Sequence, residues 1–299
     1  MLPNQVKVIE VGPRDGLQNH KEFVPTSLKL ELIRKLADSG LRSIEVSSFV
    51  NPKWIPQFSD AAKVFSELQL GADIAYFALV PNKKGLQHCI QAGVKHIAVF
   101  GAASETFSKK NINCSIDESL KRFESVISEA HRNGISVRGY ISCVLGCPYE
   151  GEIEENAVCD FAKSLISLGC YEVSLGDTIG VGTPLKARRL IERVAGKVPI
   201  NQLAVHFHDT YGQALANIFA CLEAGISTVD ASIAGLGGCP YADGATGNVS
   251  TEDLVYMLNG LKIDTGLNLN SLVEAGWFIT DSMNIRNNSR LGAVHRNTK

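Results

Sequence analysis

Five times along this chain a glycine is followed at once by a short run rich in β-branched residues: "SGLRSIEVSSF" at Gly40, "AGVKHIAVFG" at Gly93, "NGISVRGYIS" at Gly134, "LGCYEVSLGD" at Gly169 and "AGISTVDASI" at Gly225. A glycine suits the left-handed position just past a helix end, and the apolar run after it reads as a strand buried on both faces of a parallel sheet. "VKVIEVG", "ADIAYFALV" and "LAVHFHD" bring the strands to eight. Helical patterns with start signals lie between them: Thr26 before "SLKLELIRKLADSG", Ser115 with Glu118 as a capping box, Thr183 with Pro184 at the first turn, and Ser250 before "TEDLVYMLNG". Strand then helix, eight times over, predicts an α/β chain closed into a (βα)8 TIM barrel, with extra C-terminal helical elements.

Such a barrel takes about 250 residues, so the 299 present leave a modest surplus. The expectation is one catalytic domain over 1–299, with a barrel core at about 6–260 and an elaboration at about 261–299 that includes the helix-like "SLVEAGWFITDSMN". A doubly wound open sheet is the weaker reading, because no "GxGxxG" follows the first strand. Lys plus Arg number 29 against 31 Asp plus Glu, so no basic surplus points to nucleic acid or an acidic membrane. No apolar run approaches the ~20 residues of a membrane helix. Eight dispersed cysteines in a chain of this size read as reduced thiols. The start, "MLPNQVKVIEVG", carries no apolar signal core, and cytoplasmic residence and small-molecule chemistry are expected.

In a barrel the active site lies at the C-terminal ends of the strands. The first strand ends "EVGPRDGLQ", offering Glu10, Arg14, Asp15 and Gln18; the second holds Glu45 and Ser48. The sixth ends "SLGDT" with Asp177, and the seventh "HFHDT" with His206, His208 and Asp209. His206 and His208 stand two apart on a strand and point to one side, as two imidazoles sharing a metal ion would. Barrel closure brings Asp15 within reach as an oxygen ligand. With the amide oxygen of Asn248 this makes a mixed nitrogen and oxygen set without thiolate, suited to Mg²⁺ or Mn²⁺ and tolerant of Zn²⁺ or Co²⁺.

Glu10 and Glu45 read equally as ion-paired fillers of the interior or as supporting groups, and Arg14 as a partner of Asp15 or Glu45 or as a catalytic cation. Asp177 closes a strand into a glycine-rich turn and reads as functional. The segment "GAASETFSKKNINCS" reads as a long polar loop whose Lys109 and Lys110 are local cations for a phosphate-bearing substrate. Cys143 and Cys147, with three residues between them, read as structural. Cys239, by contrast, sits among glycines in "GLGGCPYADGATGN", where nothing nearby would bury it.

"GPRDGLQN", "SVRGYISCVLGCPYEG", "SLGDTIGVGTP", "AVHFHDTYGQALAN" and "AGLGGCPYADGATGNVSTEDLVYML" resemble the 3-hydroxy-3-methylglutaryl-CoA lyase family over nearly the whole chain. The resemblance implies a divalent-metal lyase that cleaves 3-hydroxy-3-methylglutaryl-CoA to acetoacetate and acetyl-CoA. It implies Asp15, His206, His208 and Asn248 as metal ligands, Arg14 as the cationic catalytic group and Cys239 as the reactive thiol of a glycine-rich loop. It assigns Glu10, Glu45 and Asp177 to the active site as supporting or proton-handling groups. Asp15, His206 and the Cys239 thiolate all stand as candidates to deprotonate the substrate hydroxyl. An acyl-CoA partner, contacted by Lys109, Lys110, Asn111 and Gln18, and a homodimer complete the expectation. Synthases of the same wider group, which condense acetyl-CoA with a 2-oxo acid, carry a further region that this short tail would not hold.

Overall fold

Eight parallel strands close on themselves in sequence order in the computed structural model, which describes residues 1–68, 73–238 and 247–296. They are β1 (Lys7–Glu10), β2 (Ser43–Ser48), β3 (Ala75–Leu79), β4 (His96–Ala102), β5 (Ser136–Ser142), β6 (Val173–Asp177), β7 (Leu203–Phe207) and β8 (Thr228–Ala231). β1 pairs with β8 from Lys7↔Thr228 to Glu10↔Ala231, and this closure brings the first strand's mouth beside the seventh and eighth. Between and after them run α1 (Thr26–Asp38), α2 (Ala61–Glu67), α3 (Lys83–Gln91), α4 (Glu105–Ile112), α5 (Ile116–Arg132), α6 (Glu155–Ser167), α7 (Pro184–Ala195), α8 (Ala214–Glu223), α9 (Thr251–Gly260), α10 (Leu269–Ser282) and α11 (Arg290–Arg296). Gly40, Gly93, Gly134, Gly169 and Gly225 all take positive φ, between 67° and 109°, which lets each helix end reverse directly into the next strand.

Each strand divides its side chains by parity. Val6 just before β1 and Val8 within it, Ile44 and Val46 of β2, and Leu203, Val205 and Phe207 of β7 face the helices in one continuous core. The opposite parity fills the barrel. One half of that interior is apolar, with Ile9, Val11, Phe77, Leu79, Ala98 and Tyr140 packed together. The other half holds buried Arg138, Ser174, His206 and Asp230.

The helix starts follow mostly as read. Ser115 and Glu118 form a full capping box, Ser250 accepts from Asp253 N, and Pro184 occupies the first turn of α7. Thr26 differs: it is the first helical residue, and its hydroxyl donates to Asp60 Oδ2 at 2.9 Å instead of capping. The stretch read as a long loop after the fourth strand is the helix α4, capped by Ser104 accepting from Phe107 N and ended by Asn113 at φ 51°. An eight-residue helix burying one large apolar side chain, Phe107, shows too little periodicity to be recognised from spacing. No helix among the described residues is long and apolar enough to cross a membrane.

Candidate active site

The chain leaves β1 through a wide π-type turn, Gly12–Gly16, in which the amides of Arg14, Asp15 and Gly16 all donate to Val11 O. Such turns are rare and frequent at functional sites. This one lifts Arg14 and Asp15 over the barrel mouth. Gly12 is required by close approach: a Cβ there would lie 2.6 Å from Glu10 Oε1.

Asp15, His206 and His208 converge. Their candidate ligand atoms all lie within 4.8 Å of one another, in a recess where both imidazoles are buried and the carboxylate is partly exposed. Asp15 Oδ2 is 3.8 Å from His206 Nε2 and accepts from Asn248 Nδ2 at 2.8 Å. Asn248 is placed by a bridge to His208. His208 Nδ1 is buried without a hydrogen-bond partner among the described residues. An orphaned imidazole nitrogen beside a second histidine and a carboxylate fits a divalent cation, whose binding would replace the missing partner.

Arg14 pairs with both carboxylates that the sequence had left as alternatives. Nε and Nη2 lie 2.7 Å from Glu45 Oε2, and Nη1 lies 2.6 Å from Asp15 Oδ1 and 3.5 Å from Gln18 Oε1. Tyr140 adds a hydrogen bond to Glu45 at 3.4 Å and places its ring 5.8 Å from the Arg14 guanidinium.

These contacts set the charges. Burial disfavours the Asp15 carboxylate, but Arg14 and then the two histidines outweigh it and hold the group well below the usual carboxylate range. Burial likewise opposes the charge on Arg14, and Glu45 and Asp15 reverse the balance and raise it. Burial lifts Glu45 above its ordinary value despite Arg14. Burial, then the neighbouring His206, press His208 down to about 4, so it stands neutral and ready to ligate. Burial opposes the charge on His206, but its hydrogen bond to Asp230 and the charge of Asp15 outweigh it, so His206 is raised.

Not every predicted residue joins this cluster. Glu10 and Asp177 end their strands on the helix-facing parity. Glu10, fully buried, accepts from Gly12 N and Ile233 N at 2.8 Å and from Thr251 Oγ1 at 2.7 Å, tying the Arg14–Asp15 turn to the segment after β8. Asp177 accepts from Val181 N and Gly182 N and organises the turn after β6, with burial raising it to about 6. Lys109 and Lys110 stand in the last turn of α4 rather than on a loop, Lys110 with its ammonium 3.8 Å from the Tyr149 ring centre; Asn111 beside them is exposed. Cys239 lies outside the described residues.

Three neighbours of the cluster went unread in the sequence: Arg138, Tyr140 and Asp230. Arg138 grips Asp230 through two N–H groups, and Asp230 Oδ2 meets His206 Nδ1 at 3.3 Å. The signal for Arg138 and Asp230 was a single charge at inward parity in "SVRGYIS" and "STVDASI".

The HMGL-like family model matches residues 5–279. The chain belongs to that family. It is 58% identical to the mitochondrial hydroxymethylglutaryl-CoA lyase of Bos taurus, over 97% of this chain and 89% of that one. Among solved structures, the hydroxymethylglutaryl-CoA lyase of Pseudomonas aeruginosa superposes with a TM-score of 0.98 at 53% identity, covering 100% of this chain and 99% of the other. An HMG-CoA lyase of Acinetobacter baumannii in complex with coenzyme A and 3-methylmalate does so with 0.93 at 34% identity, covering 99% and 97%. These HMGL-like relatives span the barrel and its C-terminal helices alike.

Proposed function

We infer that the protein cleaves 3-hydroxy-3-methylglutaryl-CoA to acetoacetate and acetyl-CoA, as a divalent-metal-dependent lyase. The observation that carries this is the meeting of Asp15, His206 and His208 beside Arg14, in a chain 58% identical over nearly its full length to a hydroxymethylglutaryl-CoA lyase. Asp15, His206 and His208 would hold the cation, with Asn248, already against Asp15, as the fourth group. A bound divalent cation supplies Lewis acidity to the substrate's tertiary hydroxyl. The mixed donor set favours Mg²⁺ or Mn²⁺ and accommodates Zn²⁺ or Co²⁺.

The rest of the chemistry falls to side chains. Glu45 and Asp15 clamp the Arg14 guanidinium and leave one Nη2 hydrogen uncommitted among the described residues, available to the thioester oxygen as it gains enolate charge. Asp15, held ionised by Arg14, serves as a ligand rather than a proton carrier. Cys239 delivers or relays the proton that the acetyl-CoA carbanion takes up, a task suited to a thiol, whose ordinary pKa is about 8.5, in a glycine-rich sequence. Glu10 and Asp177 act by holding the turns after β1 and β6 in place.

Exposed Lys109, Lys110 and Asn111, with Gln18 next to Arg14, are the groups we assign to the CoA portion. The A. baumannii complex, with coenzyme A bound, supports an acyl-CoA partner. The whole chain is read as one catalytic domain that works as a homodimer in the cytoplasm, where the seven described cysteines, all free and buried, suit a reducing compartment. The deciding experiment measures acetoacetate from 3-hydroxy-3-methylglutaryl-CoA with Mg²⁺, with Mn²⁺ and after chelation. Metal-dependent acetoacetate supports the reading, and no acetoacetate under any of these conditions refutes it.

A further inference from the structure

Asp230 is fully enclosed on the interior face of β8, and each of its hydrogen-bond partners among the described residues is a donor. Arg138 Nη2 gives to Oδ1 at 2.8 Å and Nη1 to Oδ2 at 3.0 Å; Ser174 Oγ gives to Oδ2 at 2.8 Å; His206 Nδ1 lies 3.3 Å from Oδ2. The two-pronged grip of a buried guanidinium fixes the carboxylate plane, and Arg138 is itself held by Glu172, whose Oε1 accepts from Nε at 2.6 Å. An ionised carboxylate only accepts, so the proton of a neutral His206 must sit on Nδ1. That leaves the Nε2 lone pair toward Asp15 Oδ2, 3.8 Å away. Among the described residues His208 has no such partner, and its Nδ1 is orphaned there. The two imidazoles therefore differ: one has its tautomer and ring plane set in advance, and the other does not.

We propose that Asp230, locked by Arg138, is the positioning residue that presets the His206 ring and its Nδ1–H tautomer so that Nε2 is presented to the divalent cation. This rests on the metal-dependent reading above. A carboxylate behind a metal-binding histidine is worth about 10- to 100-fold in metal affinity.

Two measurements test it, neither relying on turnover. In the first, Mn²⁺ is titrated into metal-free protein by calorimetry. Asp230→Asn keeps the shape, releases the grip of Arg138 and lets either a donor or an acceptor face Nδ1, so Mn²⁺ binding should weaken by about 10- to 100-fold. Glu172→Gln removes the other carboxylate of Arg138 without touching His206, and should stay within about threefold of the parent even where its thermal midpoint falls. An Asp230→Asn affinity within twofold of the parent overturns the proposal, as does an equal loss in Glu172→Gln, which would mark a structural effect of the buried network. The second measurement needs no variant and decides the matter if Asp230→Asn does not fold. Long-range ¹H–¹⁵N correlation on the metal-free wild type, at a pH where His206 is neutral, should show the Nδ1–H tautomer; the Nε2–H tautomer overturns the proposal. A wild-type protein that binds no Mn²⁺ yet shows Nδ1–H refutes the metal centre and the role assigned to Asp230 there, whereas Mn²⁺ binding with Nε2–H refutes the role of Asp230 alone.

Discussion

Replacing Arg14 separates its two duties, because its fork serves Glu45 and Asp15 at once while it faces the site. Glu45 is fully buried and the Arg14 side chain nearly so. Removing one partner of such a pair costs about 3–5 kcal/mol. With an unfolding entropy of about 2.1 cal/mol/K per residue, 299 residues give about 0.6 kcal/mol/K, so Arg14→Gln should lower Tm by about 5–8 °C. The loss has a pH signature. Glu45 already sits above its ordinary value through burial, and without Arg14 it rises further. A carboxyl whose folded pKa exceeds its unfolded one contributes stability below the unfolded pKa and loses it as pH rises through the folded one. The Tm gap between parent and Arg14→Gln should therefore widen from pH 5 to pH 8.

Catalysis tells the other half. Arg14→Lys keeps the charge and serves one carboxylate, but a point ammonium cannot hold both and still donate to the enolate. Its kcat should fall by about 10²-fold or more, with KM and Mn²⁺ affinity changed much less. Steady-state kinetics and pH-dependent melting on both variants check this. A kcat within a few-fold of the parent for both makes Arg14 a structural partner only, and a Tm gap that does not change with pH refutes the burial argument for Glu45.

The metal role proposed for Asp15, His206 and His208 predicts that thorough chelation abolishes turnover and Mg²⁺ or Mn²⁺ restores it, with His208→Ala weakening Mn²⁺ binding in a calorimetric titration; full turnover in metal-free protein would remove the cluster from the mechanism. For Cys239→Ser, kcat should drop by about 10²-fold or more with fold and Mn²⁺ binding intact, because an alcohol holds its proton far too tightly; near-normal kcat would leave the thiol no proton to carry. Burial raises Glu10 to about 7 and Glu252, which grips Ala234 N, to about 8. Both folded values exceed the unfolded one, so their contribution is complete below about pH 4.5 and is lost as pH rises toward 8. Melting curves from pH 5 to 8 should accordingly decline less steeply in Glu252→Gln than in the parent, and parallel slopes would contradict the raised carboxyl.

Much of the architecture is local information, and so the sequence carries it. A glycine at a helix end followed by an apolar run determines where each strand starts, as the positive φ of all five repeated glycines bears out. The two-residue period of β7 likewise determines that His206 and His208 share a face, whatever surrounds them. The same period places Glu10 with Val8 and Asp177 with Leu175 on the helix side, a parity that composition at the strand ends obscured. Other features were settled only by closure. The sequence left Arg14 to choose between Asp15 and Glu45, and the folded turn lets one guanidinium hold both because its five donors fan across the gap between β1 and β2. Nothing near His206 in the chain announces Arg138, Ser174 or Asp230, which come from β5, β6 and β8. They meet because strand tilt and closure bring distant inward positions to one level of the barrel, and a buried charge there must find its partner across the interior rather than along the chain.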